Sequence, residues 1–488
     1  MFCSVAEAVL HYAEISPDKL CLADDNGSVT YWEYSELIRR YSCFFMREGI
    51  IKGDRVVVEA NQSIDYLAIQ LGLQVIGAVF VPVEHNCAAE KIASFIDRAH
   101  ASGVIVNRNP EAFSILHAYT FSVLKEKVVS AEPLEIRSLP ESEDMCEILF
   151  STGTTGKEKG IVILHKNNIA LAENVIYGVE MQKDNVEMIP SPMNHSHGLR
   201  RYYANMVNGC SVILLGSVMD MSRFFGNIDR YGVNSMDLVP AALAVVLKLS
   251  KGKLANYASV LRYIQFGSAP LMEKDVELVC SLLPHTRMYN FYGSTESGCS
   301  CIYDFNRSDA KKSCIGKPTY NTRLLVVDDN WEPIESSSEH TGAIATGGNM
   351  NSPGYWEDEE ETAKAIKDGV VFSKDIGYVD SDGDIILLGR KGDIINVGGN
   401  KVSPEEIENA AKKLEQVADC GCIGVPDKTK GQVPKLFVQM NPDADFDIKL
   451  IRSFLTASLE PYKVPVYIEK IEKIPRTFNG KLLRKELH

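Results

Sequence analysis

A basic excess is missing from this sequence: 51 Lys and Arg stand against 65 Asp and Glu, a formal net charge of −14. That balance disfavours non-specific nucleic-acid binding and docking on anionic membranes, both of which need a basic footprint. An anionic ligand must therefore find its basic residues locally, inside a cleft. The opening Met1-Phe-Cys-Ser-Val-Ala-Glu7 has neither a basic n-region nor an apolar h-region, so no signal peptide is read. No apolar run reaches membrane-spanning length. There is no paired C-x-x-C. Twelve cysteines in 488 residues do not make a disulfide framework, and a reducing, cytoplasmic setting is expected. Cys299/Cys301 and Cys420/Cys422 form C-x-C pairs, which read as buried thiols rather than as a metal site. Internal repeats and low-complexity linkers are also lacking.

What is present is an ordinary globular composition, 45% hydrophobic and 24% charged, on a chain too long for one core. Residues 1 to about 145 alternate helix and strand. Helices are expected over Val5–Tyr12, Thr30–Glu48, Asp65–Gly77 and Lys91–Ala99; strands are expected over Asp54–Ala60, Ala78–Val83 and Gly103–Asn107. Such alternation implies parallel β-α-β units. The pattern resumes after residue 160, becomes β-rich from Arg323 to Ile395, and turns to helix, strand and helix from Ser403.

The chain is organised around Ser151-Thr-Gly-Thr-Thr-Gly-Lys-Glu-Lys-Gly160, between the apolar runs 147–150 and 161–164. Glycines, hydroxyls and lysines between two strands suit a phosphate, because they expose N–H groups, donate hydrogen bonds and supply charge. The spacing departs from G-x-x-x-x-G-K-[ST], which excludes a Walker loop. A plain hairpin turn is the other reading of the same residues.

Further motifs follow in order: Pro192-Met-Asn-His-Ser-His-Gly198, Gly267-Ser-Ala-Pro270, Asn290-Phe-Tyr-Gly-Ser-Thr-Glu296, Ser373-Lys-Asp375, Gly389-Arg390, Gly398-Gly-Asn-Lys-Val-Ser-Pro-Glu-Glu-Ile-Glu408 and Pro475-Arg-Thr-Phe-Asn-Gly-Lys481. Together they resemble the AMP-forming adenylating superfamily of acyl-CoA synthetases, peptide-synthetase adenylation domains and firefly luciferases. The resemblance spans nearly the whole chain.

It implies an α/β fold. A large N-terminal domain over residues 1–391, of mixed and parallel sheets flanked by helices, would carry the ATP and acid sites. A small mobile α+β lid over residues 392–488 would carry the catalytic lysine. It also implies two steps. A carboxylate attacks the α-phosphate of ATP, giving an acyl-adenylate and pyrophosphate; a thiol then displaces AMP.

Roles carry over by position. Thr152, Thr154, Thr155 and Lys159 would handle the β- and γ-phosphates, with Glu158 where the family has proline. Gly267, Ser268, Ala269, Asn290, Tyr292 and Gly293 would bind the nucleotide, with Tyr292 stacked on adenine and Asn290 hydrogen-bonded to it. Thr295 would meet the α-phosphate and Glu296 would hold Mg²⁺. Asp375 would accept the ribose hydroxyls, with Arg390 beside ribose and phosphate. Lys481 would bridge the two anions that react, where an ammonium lowers their repulsion. Gly392 would be the hinge, and Gly398 and Gly399 would line the thiol channel.

On the acid side, His195 would gate a pocket lined by Ser196, Arg200, Asp237, Ile264, Phe266, Phe291 and Cys299. Ser196 stands where peptide-synthetase domains place an aspartate for an α-amino group, which disfavours an amino acid. Phe266 and Phe291 would narrow the pocket. Arg200 and Asp237 would need to pair with each other or with polar groups of the acid. A small or medium polar acid, aromatic or carrying a second charged group, fits this set. The expected activity is an AMP-forming acyl-CoA synthetase using ATP, Mg²⁺ and CoA. The alternative is an enzyme that loads the phosphopantetheine of a separate carrier protein.

Overall fold

Strands and helices alternate through the first third of the chain because apolar runs such as Val56-Val57-Val58 are too short for helices and too apolar for one exposed face. The computed structural model describes residues 2–152, 158–269, 271–307, 311, 313–476 and 482–488. Among these, a six-stranded sheet runs in the spatial order His117–Thr120, Gly103–Val106, Arg55–Glu59, Val79–Val83, Met145–Thr152, Glu158–Leu164. All neighbours are parallel except the last two, which form an antiparallel hairpin around the central motif.

The expected helices form with small shifts at their ends. Thr30 caps Tyr31–Arg47 through a full capping box with Glu33, which satisfies two donors at the helix start. The strands Leu20–Asp24, Gly27–Thr30 and His117–Thr120, and the helix Phe121–Val129, were not expected. The strand Leu20–Asp24 has three buried residues, but it is only five residues long and gives little periodicity to read.

A fourteen-stranded sheet carries the rest of the large domain. Its parallel centre is Ser211–Leu214, Val186–Ile189, Ser235–Asp237, Tyr263–Phe266 and Arg287–Tyr292. Beyond Arg287–Tyr292 the pairing turns antiparallel, through Cys301–Asp304, Cys314–Pro318, Ile385–Arg390 and Val370–Val379. The helices Met221–Tyr231 and Pro240–Ser250 cover one face of its parallel part, in a core with Ile264, Phe266 and Met288. The helix Ser196–Asn208 and the face carrying Tyr263, Tyr289 and Phe291 join the other core, shared with the six-stranded sheet.

From Ile395 the strands belong to a separate five-stranded sheet with its own core, which packs the helices Pro404–Ala411 and Ile448–Ser458. The chain is thus a large N-terminal and a small C-terminal domain of mixed α/β structure. Lys413 meets Glu273 at 2.5 Å and Lys401 meets Thr341 at 2.7 Å across them. Cys299, Cys301, Cys420 and Cys422 are buried free thiols. Among the described residues no helix is long and apolar enough to cross a membrane.

Candidate active site

The strand Arg287–Tyr292 delivers Asn290 and Tyr292 to the edge where the parallel region ends. Antiparallel pairing sets Asp375 opposite Arg390. The Tyr292 hydroxyl donates to Asp375 Oδ2 at 2.6 Å, and Arg390 Nε donates to Oδ1 at 3.3 Å. Burial first, and the Asp375 charge second, push the Tyr292 phenol well above its ordinary range, so it stays a donor. Each carboxylate oxygen has a second lone pair to offer, so Asp375 keeps acceptor capacity for a diol. The buried Asn290 side-chain oxygen has no partner among the described residues. An orphaned acceptor there suits the exocyclic amine of a purine.

Close approach fixes two glycines of this edge. A Cβ on Gly293 would lie 1.8 Å from the Gly298 carbonyl oxygen, and one on Gly267 would lie 2.9 Å from His197. Ser268 beside it holds φ at 70°, a sparsely populated value for a non-glycine residue.

The turn after Gly293 is tied down from several sides. Ser294 and Ser297 bond each other, Ser352 N–H donates to the Glu296 carbonyl, and the Ser196 and Thr295 hydroxyls lie 3.2 Å apart. Tyr355 donates to Glu296 Oε1 at 2.9 Å. Glu296 Oε2 makes no hydrogen bond among the described residues, so one oxygen is held and the other is available to a cation. Tyr355 also lies under Lys159, whose ammonium is 4.7 Å from the ring centre and ion-paired with Glu361. Glu158 does not repel its surroundings: Lys91 at 3.1 Å and Arg98 at 3.6 Å balance it.

The acid side departs from expectation. His195 is the N-cap residue of Ser196–Asn208, and burial holds its imidazole below the ordinary value, hence neutral at pH 7. Arg200 does not pair with Asp237. Its Nη1 donates to the Gly298 carbonyl at 3.2 Å and its Nη2 to the Ser294 carbonyl, so it braces the Thr295–Glu296 turn. Arg201 is the partner of Asp237, with Nε at 3.2 Å. Helical spacing explains the swap: His197, Arg201 and Asn205 lie four apart and share the face turned to the sheet. His197 comes within 2.8 Å of Asp237, and Ser191 donates to it at 2.5 Å. Burial pushes the Asp237 carboxyl up, but these partners outweigh it and hold it low.

Phe266 and Phe291 do not narrow one pocket together. Phe266 pairs in register with Asn290, so strand alternation sends Phe291 to the opposite face. Phe266 and Ile264 are buried under the helices Met221–Tyr231 and Pro240–Ser250. Phe291 instead lies 4.6 Å under the Arg201 guanidinium, whose Nη1 is also 4.0 Å from Cys299 Sγ. Three residues expected to line the pocket, Asp237, Phe291 and Cys299, therefore converge on Arg201, which the sequence reading did not single out.

Thr152 ends the strand Met145–Thr152, and Thr154, Thr155 and Lys481 lie outside the described residues. Ala269 follows Ser268 in the same turn. Gly398 and Gly399 form the exposed tip between Ile395–Val397 and Asn400–Val402. Gly392 lies two residues after Arg390, the last position of the strand Ile385–Arg390.

Residues 9–356 match the family described as AMP-binding enzyme, and residues 406–481 match the AMP-binding enzyme C-terminal domain. The chain belongs to the AMP-binding enzyme family. Within it, the chain is 26% identical to a 2-succinylbenzoate–CoA ligase of Bacillus cereus over 487 residues, covering 98% of this chain and 97% of that one. ATP-bound MatB from Rhodopseudomonas palustris superposes with a TM-score of 0.89 at 22% identity, over 99% of this chain and 98% of that one. The o-succinylbenzoate CoA synthetase of Bacillus subtilis, in complex with its acyl-adenylate intermediate, gives 0.86 at 21% identity, over 98% and 97%. The motifs on which the resemblance rests, Asn290–Glu296, Asp375 and Arg390, are brought together by the fold at the edge of Arg287–Tyr292. Tyr355 and Arg201, which complete the site here, belong to no motif; Tyr355 lies 59 residues from the Glu296 it holds.

Proposed function

We propose that the protein is an ATP-dependent, AMP-forming acid–thiol ligase that activates a small or medium polar or aromatic carboxylic acid and passes the acyl group to CoA. The observation that carries this reading is the Tyr292–Asp375–Arg390 chain beside the orphaned Asn290 oxygen. Asp375 would accept the ribose hydroxyls and Asn290 the purine amine, while Tyr292 would pack against the base. Thr295 would donate to the α-phosphate. Glu296, whose second carboxylate oxygen has no hydrogen bond among the described residues, would hold Mg²⁺, which would supply charge neutralisation to the phosphates. Lys159 would exchange Glu361 for the β- and γ-phosphates, with Thr152, Thr154 and Thr155.

A carboxylate is a poor electrophile, and AMP is a good leaving group. Catalysis here is positioning and charge stabilisation rather than covalent work by the protein. Lys481 would stand between the two anions in the first step. The segment 392–488 would then turn about Gly392 as a lid, bringing Gly398 and Gly399 to the site for the thiol. CoA is favoured over a carrier protein because the relatives matched over the whole chain are named as CoA ligases. The test is a panel of carboxylic acids scored for acid-dependent pyrophosphate release, repeated with CoA and read by thioester mass. AMP, pyrophosphate and acyl-CoA are expected. Release that ignores every added acid would remove the ligase reading.

A further inference from the structure

The two groups assigned above to the β- and γ-phosphates and to their metal stand on different sheets. Lys159 is on the strand Glu158–Leu164 of the six-stranded sheet, and Glu296 is in the turn after Arg287–Tyr292 of the fourteen-stranded one. The segment 352–356 joins them. Val162 N–H donates to the Gly354 carbonyl at 3.0 Å and Trp356 N–H to the Gly160 carbonyl at 2.7 Å, which sets Tyr355 opposite Ile161 in an antiparallel bridge. In this kind of pair the facing side chains approach most closely. Side chains two apart on a strand share a face, so Lys159 lies on the face of Ile161 and diagonal to Tyr355. That register puts the Lys159 ammonium 4.7 Å from the centre of the Tyr355 ring. On its other side the segment grips the turn. Ser352 N–H donates to the Glu296 carbonyl at 2.8 Å, and the Tyr355 hydroxyl donates to Glu296 Oε1 at 2.9 Å. Tyr355 is itself pinned, its N–H donating to Thr362 Oγ1 at 2.9 Å.

A glutamate side chain without partners can offer a cation either carboxylate oxygen, both or neither. One hydrogen bond to the charged group removes that freedom at Oε1 and leaves Oε2, which makes no hydrogen bond among the described residues, as the atom on offer. Burial first, and the Glu296 charge second, push the Tyr355 phenol above its ordinary range, so it stays protonated and donating. We propose that Tyr355 is a positioning residue: its hydroxyl orients the Glu296 carboxylate toward the divalent cation of the nucleotide, and its place opposite Ile161 fixes that carboxylate relative to Lys159. The inference rests on the assignment of Glu296 in the ligase reading above and goes beyond it.

The test uses the full chain and α,β-methylene-ATP, which lacks the bond that adenylation breaks. Calorimetry gives its dissociation constant with Mg²⁺ and with EDTA, and the ratio of the two is the gain from the metal. Groups that orient a metal ligand are worth about ten- to a hundredfold in metal affinity. Tyr355→Phe keeps the ring beside Lys159 and removes only the hydroxyl. The gain should fall about tenfold, while the constant in EDTA stays within about twofold of the native one. In a Glu296→Gln background the same substitution should change the gain by less than about twofold, because the carboxylate it orients is gone. Unfolding curves check that each variant is folded. An unchanged gain in Tyr355→Phe overturns the inference. So does a loss of equal size with and without Mg²⁺, which is what a merely structural role gives, and so does an undiminished effect in the Glu296→Gln background. These results leave the ligase reading standing. A native enzyme that gains nothing from Mg²⁺ overturns the assignment of Glu296 and the inference with it, whereas pyrophosphate release across the acid panel tests the ligase reading separately.

Discussion

Arg201 reaches Asp237 with its Nε at 3.2 Å, and both side chains are fully buried. A buried ion pair is held by mutual neutralisation, and its weakness is exposed by removing one partner. Asp237→Asn should destabilise the protein by about 3–5 kcal/mol, because Arg201 would stay buried without its counter-charge. Combining it with Arg201→Met should recover part of that loss. Denaturant unfolding of the two single variants and the double variant measures the coupling; strictly additive losses would show that the pair acts as two independent residues.

Lys159 is tied to Glu361 by an ion pair. Hydrogen bonds from Lys159 and Lys364 hold the Glu361 carboxyl down at about 2, so the pair is intact throughout the working pH range. If the ammonium must leave Glu361 to meet phosphate, Glu361→Gln lowers the KM for ATP severalfold. Lys159→Ala raises it. Initial rates against ATP concentration distinguish these outcomes, and a higher KM in Glu361→Gln would mean that the carboxylate helps binding instead.

Glu187 gives the fold a pH signature. Burial raises its carboxyl to about 8, against the opposing pull of Arg201 and of hydrogen bonds from Asn205 at 2.6 Å and Gln265 at 2.9 Å. A carboxyl raised on folding binds more protons in the native state, so its contribution to stability is full below the unfolded value and is lost as pH rises towards 8. Unfolding midpoints should therefore fall between pH 5 and 8. Glu187→Gln should flatten that slope; an unchanged slope would assign it to other groups.

Gly392 has open space around its Cα and stands just after the last strand of the large sheet. Gly392→Pro should slow thioester formation by an order of magnitude more than adenylation, since under the proposed mechanism only the second step would need residues 392–488 to turn. Single-turnover rates of the two half-reactions give the comparison. Equal losses would move the hinge elsewhere.

The grouping of Asn290, Tyr292, Asp375 and Arg390 was legible in the sequence because it is built from short motifs whose spacing survives in the fold: Asn290 to Glu296 is a strand end and the turn after it, and Asp375 and Arg390 are one strand pair. The acid side was not. Arg200 and Arg201 are adjacent, and only the helical register of Ser196–Asn208 decides which one meets Asp237. That helix is unusually polar, with Arg200, Arg201, Asn205 and Asn208 all buried, so hydrophobic periodicity gives no sign of it. Its stop signal, Gly209 in the left-handed region, was available. Tyr355 was illegible for another reason: it reaches Glu296 across a tertiary contact that no local pattern encodes.

The central claim is that an added carboxylic acid, without any thiol, reversibly displaces pyrophosphate from ATP at the Asp375–Tyr292 edge. Acid-stimulated exchange of labelled pyrophosphate into ATP, in the absence of CoA, measures it most directly. The account predicts exchange in the native enzyme and its loss, by at least a hundredfold, in both Asp375→Ala and Lys481→Ala. Undiminished exchange in those two variants, or formation of ADP and phosphate in place of AMP and pyrophosphate, would contradict it.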